Sequence, residues 1–356
     1  MKNKFIRPIH LILGLISGIV IFTVSITGCI TSFQEEIRSV IYSELMEVES
    51  RSSKKLSLNV LSEIVKKENP TLKITNIRVK SSRNSSIEFI FDNDLSLYIN
   101  PYNGKVLGSL SKDSDFFGIA LEIHRNLFLG EKGEFITKIC VLVFLLMVIS
   151  GIVLWWPRNR VIMKQKVSIM RNVNWQKRNY DLHTVLGFYA SLVIIFTVLT
   201  GLIWTYDWAE NSMYWITNSK KSKKIELEST QPSINTTTYS IDGIYHHSKL
   251  THKEHKECII SLPNDEKGIV RLSYRYNDKG FFRTQNNLFF DQYDGNLLKE
   301  RLFSSLSTGD KLKMTNLNIH TGKVLGFFGQ LLVFFASLIC ASLPITGFLI
   351  WRGRNK

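Results

Sequence analysis

The sequence predicts a membrane protein: a four-helix transmembrane bundle built from a tandem repeat, with two outer α+β domains. Three observations predict this fold class: four long apolar runs, basic residues concentrated in three short segments, and motifs that occur twice in register. An aromatic content of 12% excludes a disordered chain. A disulfide scaffold is excluded because there are only four cysteines and three of them, Cys29, Cys140 and Cys340, lie in apolar runs. No C-x-x-C or Cys/His spacing typical of a zinc site occurs.

Each apolar run is free of charged residues and long enough to cross a bilayer. The runs occupy 11–33, 139–156, 184–206 and 324–351. Crossing ~30 Å of hydrocarbon at ~1.5 Å per residue takes about 20 residues. We therefore place the transmembrane segments at 11–33, 135–157, 183–206 and 323–351.

The basic residues orient these segments. The chain has 45 Lys and Arg against 30 Asp and Glu. Three basic residues lie before His10, seven lie in 158–180 and three follow Trp351, and none of these segments contains an acid. The positive-inside rule makes 1–10, 158–182 and 352–356 cytoplasmic, so that 34–134 and 207–322 face outward as the two outer domains, which would be periplasmic in a bacterial inner membrane. The charge therefore indicates topology and contact with membrane lipid rather than a nucleic-acid partner.

The first span has an alternative interpretation as a cleaved signal peptide, because Lys2, Lys4 and Arg7 precede it. Residues 26–29 also resemble a lipoprotein cleavage motif that ends on Cys29. We favour a retained span, since the apolar run is long and no small-residue cleavage site follows it. The repeat favours the same conclusion, because the counterpart of Cys29 is Leu202.

In each half of the repeat a histidine precedes a Ser-Gly or Thr-Gly pair, and the number of residues between them is the same in equivalent spans. In the odd-numbered spans the distance is 17 residues, from His10 to Thr27 and from His183 to Thr200. For the even-numbered spans it is 26 residues, from His124 to Ser150 and from His320 to Thr346. The repeating unit is thus span, outer domain, span, used twice with the same topology. A pseudo-twofold axis along the membrane normal is expected.

Each outer segment has the pattern of a small α+β domain. In the first, we predict a helix over 58–67 with Ser57 as its cap, strands at 74–79, 87–91 and 95–99, and a turn at 102–104. The second repeats this plan, with a helix over 240–250, strands at 270–276 and 288–290, and a turn at 293–295.

The four histidines at the repeat-related positions, His10, His124, His183 and His320, are the candidate cofactor ligands. An ionisable side chain at membrane depth is costly and usually functional. A single one would be read as an interfacial histidine, but four at symmetric places favour two axial pairs, His10 with His183 and His124 with His320. Two imidazoles on opposite sides of a helix bundle suit haem that transfers electrons. Nearby glycines such as Gly14 and Gly18 would admit a flat macrocycle or serve close helix packing, and both interpretations stay open.

The other four histidines are clustered at the end of the predicted helix and in the segment after it, at His246, His247, His252 and His255. They could form a weak outer site for a metal or an iron chelate. A solvated helix end and loop is the favoured alternative, because lysines alternate with the histidines.

Taken together, these motifs resemble the PepSY-associated transmembrane family of bacterial inner-membrane proteins. The resemblance is carried by the His-x-x-x-Gly span starts at His10 and His183, the Thr-Gly span ends, the segment 124–130, the Trp-Pro and Trp-Arg span exits, and the Tyr-Asn-Gly and Tyr-Asp-Gly turns of the outer domains. It covers nearly the whole chain. The outer domains would accordingly be PepSY-like.

The resemblance implies an oxidoreductase that reduces a ferric siderophore or another iron chelate at the periplasmic face. It implies haem b, one or two per chain, with the four histidines as iron ligands. The pairing by depth comes from the repeat. No G-x-G-x-x-G nucleotide signature occurs, so the electrons would come from a separate cytoplasmic donor or from a quinol.

Two other functions compete with this hypothesis. PepSY-type proteins also include non-enzymatic sensors or regulators of a peptidase or signalling partner, in which the histidines would be structural. A transporter of iron chelates ranks last, because four spans are few and the only candidate for a helix break is Pro344.

Overall fold

The fold was analysed in a computed structural model that describes residues 3–49, 53–111, 115–157, 159–223, 225–230, 240–277 and 281–354. The chain divides into two compact units. The bundle unit consists of Met1–Gln34, Phe116–Asn218 and Thr315–Lys356. The sheet unit consists of Glu35–Asp115 and Ser219–Met314.

The helices and strands follow one another in chain order, and the described residues contain these α-helices: α1 (Asn3–Ser32), α2 (Gln34–Ile41), α3 (Ser43–Met46), α4 (Leu58–Glu68), α5 (Phe116–Asn126), α6 (Gly130–Trp155), α7 (Arg160–Lys166), α8 (Trp175–Asp181), α9 (Gly187–Thr205), α10 (Asp207–Ile216), α11 (Ile241–Thr251), α12 (Thr308–His320) and α13 (Gly326–Arg354). A π-helical turn, Leu182–Leu186, joins α8 to α9. The strands are β1 (Ile74–Lys80), β2 (Ile87–Phe91), β3 (Leu95–Ile99), β4 (Val106–Ser111), β5 (His255–Ser261), β6 (Ile269–Tyr276), β7 (Gln285–Asp291) and β8 (Leu297–Arg301).

Within the described part of the bundle unit, four helical segments are long and apolar enough to cross a membrane, as predicted. They are Lys4–Ser32, Gly130–Trp155, Trp175–Thr205 and Lys323–Gly353. Each contains the predicted apolar run or nearly all of it; the first three start earlier than predicted and the fourth starts at Lys323, as predicted. The third includes α8, so the last part of the predicted cytoplasmic loop belongs to this helical segment, and α7 lies in the first part of the loop. Helix α13 continues through Pro344 without a break.

The spans pack through small and aliphatic side chains. Helix α1 contacts α6 and α13, and α9 contacts the same two helices. A methyl group added at Gly14 would lie 3.0 Å from Met147 Cε, and one added at Gly18 would lie 3.3 Å from Pro344 Cβ. These two glycines therefore serve close helix packing, which was one of the two open interpretations.

The sheet unit is built on one eight-stranded antiparallel sheet in the order β4-β3-β2-β1-β5-β6-β7-β8. Its two halves, predicted from the sequence as separate domains, are joined where β1 pairs with β5. At this junction Ile77 lies opposite Ile260 and Val79 opposite Cys258. These four side chains are buried, and the strands of both halves contribute to one hydrophobic core.

Helices α4 and α11 cover the apolar face of the sheet. Helix α4 begins after Ser57, whose side chain accepts a hydrogen bond from Val60 N, as predicted for its cap. The carboxylate of Asp242, at the start of α11, accepts hydrogen bonds from Leu58 N and Asn59 N at 2.6 and 2.9 Å. One half of the sheet unit thus caps the helix of the other half.

Candidate functional site

The four histidines lie on four separate elements of the chain. His10 is on α1 and His183 is in the π-helical turn before α9. His124 is in the last turn of α5, and His320 is the last residue of α12. The short helices α5 and α12 each precede an even-numbered span, so both outer histidines are presented from the helix that leads into a span.

Each histidine is hydrogen-bonded through Nδ1 to the hydroxyl of a Ser-Gly or Thr-Gly pair on a neighbouring helix. The Nδ1-to-oxygen distances are 2.7 Å for His10 with Ser150, 3.2 Å for His124 with Thr27, 2.9 Å for His183 with Thr346 and 2.9 Å for His320 with Thr200. The same contact is therefore made four times. The equivalent positions of the two halves make equivalent contacts.

The glycine of each pair lies under the histidine ring. A Cβ atom at Gly347 would lie 3.3 Å from Cε1 of His183, and one at Gly28 would lie 3.4 Å from Cε1 of His124. The corresponding distances are 3.6 Å at Gly151 and 4.0 Å at Gly201. The hydroxyl and the glycine together fix the position of each ring from the side of the helix that carries the pair.

The structure brings His124 and His320 together. Their ring centroids are 6.2 Å apart and the ring planes are inclined by 80°. The indole of Trp204 lies beside His320, at a centroid distance of 5.2 Å. His10 and His183 are near enough to interact electrostatically, but their rings are not in direct contact in the described structure.

The turns that follow the outer histidines are tight, and they are alike. A Cβ atom at Gly133 would lie 1.6 Å from the carbonyl oxygen of Asn126, and one at Gly329 would lie 2.1 Å from that of Gly322. A side chain is therefore excluded at both glycines. After His124, the non-glycine residues Leu127 and Phe128 also adopt positive φ angles of 57° and 59°. Such strain persists where surrounding structure imposes it, often beside a functional group.

Burial keeps the two outer histidines neutral. Desolvation lowers the pKa of His124. Desolvation, aided by the neighbouring His124, lowers the pKa of His320 to about 4. Neutral imidazole is the form that ligates a metal ion.

The His124–His320 pair fits two axial ligands of one metal ion. A bond from a metal to an imidazole nitrogen is about 2 Å and the nitrogen lies about 1 Å from its ring centre, so two ligands in line have centroids about 6 Å apart. Because Nδ1 of each ring is engaged by a hydroxyl, Nε2 is the atom available for a metal. Two imidazole donors leave most ligand positions of a metal ion unfilled, so this donor set suits a cofactor that supplies its remaining ligands itself.

The other histidine group does not converge in the structure. His246 and His247 are exposed on α11, whereas His252 and His255 are buried in the sheet unit. His252 Nδ1 lies 2.7 Å from the hydroxyl of Tyr276, and His255 Nδ1 donates to the carbonyl of His252 at 2.6 Å. Two members of the group are thus core residues, which neither the metal-site hypothesis nor the solvated-loop alternative anticipated.

Sequence reasoning found the Ser-Gly and Thr-Gly pairs but gave them no role beyond the repeat. Their pairing with histidines was not visible, since Ser150 lies 140 positions from its partner His10. Trp204 lies near the end of an apolar run, a position typical of an interfacial aromatic residue, and nothing in the sequence marks it as a neighbour of His320. The constant spacing identifies the participants but not the partners, because it joins His10 to Thr27 whereas the structure pairs His10 with Ser150.

Comparison with known proteins identifies the family. No curated protein matches the chain. The family described as "PepSY-associated TM region" matches residues 7–354, which is nearly the whole chain and includes the four histidines and both units. The protein therefore belongs to the PepSY-associated transmembrane family.

Proposed function

We propose that this protein is a haem-containing reductase of the bacterial inner membrane that passes electrons across the membrane to a ferric siderophore or another ferric chelate. The observation that carries the proposal is the pair His124 and His320. Their ring centroids are 6.2 Å apart, and a hydroxyl group engages Nδ1 of each ring. The spacing and the free Nε2 atoms support bis-histidine ligation.

The four histidines would hold haem b, one or two per chain. Haem with two imidazole ligands carries single electrons and has no open position for oxygen chemistry. The protein's own contribution is to hold the rings neutral and immobile and to surround them with apolar helices. His10 and His183 would form the cytoplasmic pair, which the repeated hydroxyl contact supports.

The reaction needs a reductant, for which we propose a quinol of the membrane; a cytoplasmic donor protein is the alternative. One quinol releases two electrons and two protons on becoming a quinone. Two ferric ions each take up one electron and become ferrous. The reduction breaks no covalent bond of the chelator, so no acid or base residue is required at the outer face.

The proposal includes the tandem repeat of the chain and its orientation in the membrane. The repeat is supported by the fourfold histidine contact and by a strand order that is symmetric about the β1–β5 junction. Both termini and 158–182 would be cytoplasmic, as the basic residues indicate. The sheet unit, with its PepSY-like halves, would then face the periplasm.

The absorption spectrum of the detergent-purified protein tests the function. We expect a b-type spectrum in the reduced-minus-oxidised difference, and its loss or strong reduction in His124→Ala and His320→Ala. His247→Ala, which changes an exposed histidine of α11, is the matched control and should leave the spectrum unchanged. A folded, monodisperse protein without a Soret band would overturn the proposal.

A second measurement separates the reductase from a non-enzymatic regulator. Protein in vesicles, supplied with a quinol, should reduce an external ferric chelate, and a ferrous-specific chelator would report the product. A regulator would bind no haem, reduce no iron and keep its fold after replacement of either outer histidine.

A further inference from the structure

We propose that four hydroxyl groups are positioning residues that hold the four histidines in the tautomer with hydrogen on Nδ1. The four hydroxyls belong to Thr27, Ser150, Thr200 and Thr346. The effect of this tautomer on haem binding rests on the proposed function, because the tautomer leaves the Nε2 lone pair available to bind haem iron. The tautomer itself is a property of the protein and can be measured without any cofactor.

The direction of the hydrogen bond between each hydroxyl and its histidine follows from the other bond that the hydroxyl makes. A hydroxyl has one hydrogen to donate and two lone pairs that accept. The four hydroxyls each lie within hydrogen-bond distance of the carbonyl four residues earlier on their own helix. These distances are 2.8 Å for Thr27 to Thr23, 2.6 Å for Ser150 to Leu146, 2.7 Å for Thr200 to Phe196 and 3.0 Å for Thr346 to Ser342. A hydroxyl that donates to its own helix can only accept from the histidine, so Nδ1 carries the hydrogen.

At His124 a backbone carbonyl independently fixes the direction of the Nδ1 hydrogen bond. Nδ1 of His124 lies 2.9 Å from the carbonyl oxygen of Val24. A carbonyl oxygen only accepts, so Nδ1 of His124 must donate. Val24 stands three positions before Thr27, so the carbonyl and the hydroxyl that engage His124 lie on the same face of α1.

A hydrogen on Nδ1 matters for metal binding through Nε2. A histidine that ligates a metal through one nitrogen almost always donates its other N–H to a fixed acceptor, which sets the ring orientation and the basicity of the ligand. Here the acceptor is a neutral hydroxyl, so the imidazole is oriented without the charge that a carboxylate would add. Loss of such a partner typically costs about 10–100-fold in metal affinity or activity.

Thr200→Val tests the inference at His320, because it removes the hydroxyl and keeps the shape. Thr200→Ser keeps the hydroxyl and should restore the wild-type behaviour. Thr205→Val is the matched control on the same helix, since the hydroxyl of Thr205 bonds to the carbonyl of Gly201 and to no histidine. We expect Thr200→Val to weaken haem retention about 10–100-fold and to shift the midpoint potential, whereas the other two variants match wild type. Wild-type retention and potential in Thr200→Val would overturn the inference.

A measurement without the cofactor keeps the inference separate from the proposed function. In haem-free protein labelled with ¹⁵N-histidine, nitrogen chemical shifts distinguish a protonated Nδ1 from a protonated Nε2. We expect Nδ1–H at the four histidines and a mixture of tautomers at His320 in Thr200→Val. If Nε2–H predominates in the wild-type protein, the inference is wrong. If the protein binds no haem but shows Nδ1–H, the proposed function fails and the tautomer assignment stands. Should Thr200→Val fail to fold, Thr27→Val at His124 supplies the same comparison.

Discussion

At the scale of the residue, the informative feature is a contact between side chains that are distant in the sequence. The histidines and the Ser-Gly and Thr-Gly pairs could be found by their spacing, because spacing along a helix is a local property. Which hydroxyl serves which histidine depends on helix packing, so Thr27 serves His124 rather than the nearer His10. Sequence reasoning therefore found the participants of the candidate site but not their partners.

Asp291 leads to a prediction about pH and stability. Its side chain is buried, and it accepts hydrogen bonds from Thr230 N and Tyr293 N at 2.6 and 2.8 Å. Desolvation opposes ionisation, but these hydrogen bonds outweigh it and lower the pKa of Asp291. A lowered carboxyl pKa contributes stability above the ordinary carboxyl range, and that contribution is lost as the pH falls through the folded-state pKa. We expect Asp291→Asn to cost about 1–3 kcal/mol at neutral pH.

Thermal melts of the purified full-length protein at a series of pH values check this prediction. The difference in melting temperature between wild type and Asp291→Asn should begin to shrink as the pH falls below about 4, and it should vanish only below the lowered folded-state pKa of Asp291, where the carboxylate is protonated in wild type as well. Asp92→Asn, at an exposed position after β2, is the control and should melt like wild type. A difference that is constant over the whole pH range would show that the charge of Asp291 contributes nothing.

At the scale of the element, the helices and strands that have an apolar run or an alternating apolar pattern were predictable from the sequence. The four spans, α4, α11 and strands β1 to β3, β6 and β7 were predicted from apolar runs or alternation. Strand β5 was missed because it starts in the lysine- and histidine-rich segment, and β8 is a short edge strand with three charged residues. Helix α12 has no apolar stripe, since Thr315, Asn316 and Asn318 are its most buried residues, so its pattern did not indicate a packed helix.

Gly133 and Gly329 are expected to control the turns that place the outer histidines. A Gly→Ala change inside a helix usually gains about 1 kcal/mol from propensity. Here the new methyl group would overlap a carbonyl oxygen, at 1.6 or 2.1 Å, so the turn must move. Overpacking of this kind costs about 1–3 kcal/mol. We expect Gly133→Ala and Gly329→Ala to lower the melting temperature despite the better propensity.

The control for these variants is Gly353→Ala, which also lies in a helix but has no atom within 4 Å of its added Cβ. It should leave the melting temperature unchanged or raise it slightly. If Gly329→Ala behaves like Gly353→Ala, the close approach to Gly322 is not a constraint on the folded protein.

At the scale of the whole molecule, the charge distribution predicts the orientation in the membrane. The basic residues before α1, in 158–180 and after α13 would all lie on the cytoplasmic side. Reporter fusions that are active only in the periplasm should therefore be silent when joined after Met170 or at the C-terminus. Fusions joined after Asn103 or Asn264, in turns of the sheet unit, should be active. The reverse pattern would invert the proposed direction of electron transfer.

Because strands from both halves of the chain form one sheet and one core, we expect each half to need the other in order to fold. A chain cut after Met170 separates β1 from β5, leaves half of the shared core open and removes the carboxylate of Asp242 from the start of α4. An unpaired apolar strand at a sheet edge favours aggregation. We therefore expect fragments 1–170 and 171–356 to be degraded or to aggregate when produced singly, and to accumulate as a stable pair when produced together.

Immunoblots of membrane fractions and size-exclusion chromatography of the detergent-solubilised pair measure this dependence. Because proline cannot donate a hydrogen bond within a central strand, Ile259→Pro in β5 should abolish the rescue, and Ile259→Val should retain it. Folded, protease-resistant fragment 1–170 in the absence of its partner would contradict the prediction, because it would mean that each half is an independent domain. Rescue by 171–356 that survives Ile259→Pro would instead place the dependence in the helices of the bundle unit, where α1 packs against α13 and α6 against α9.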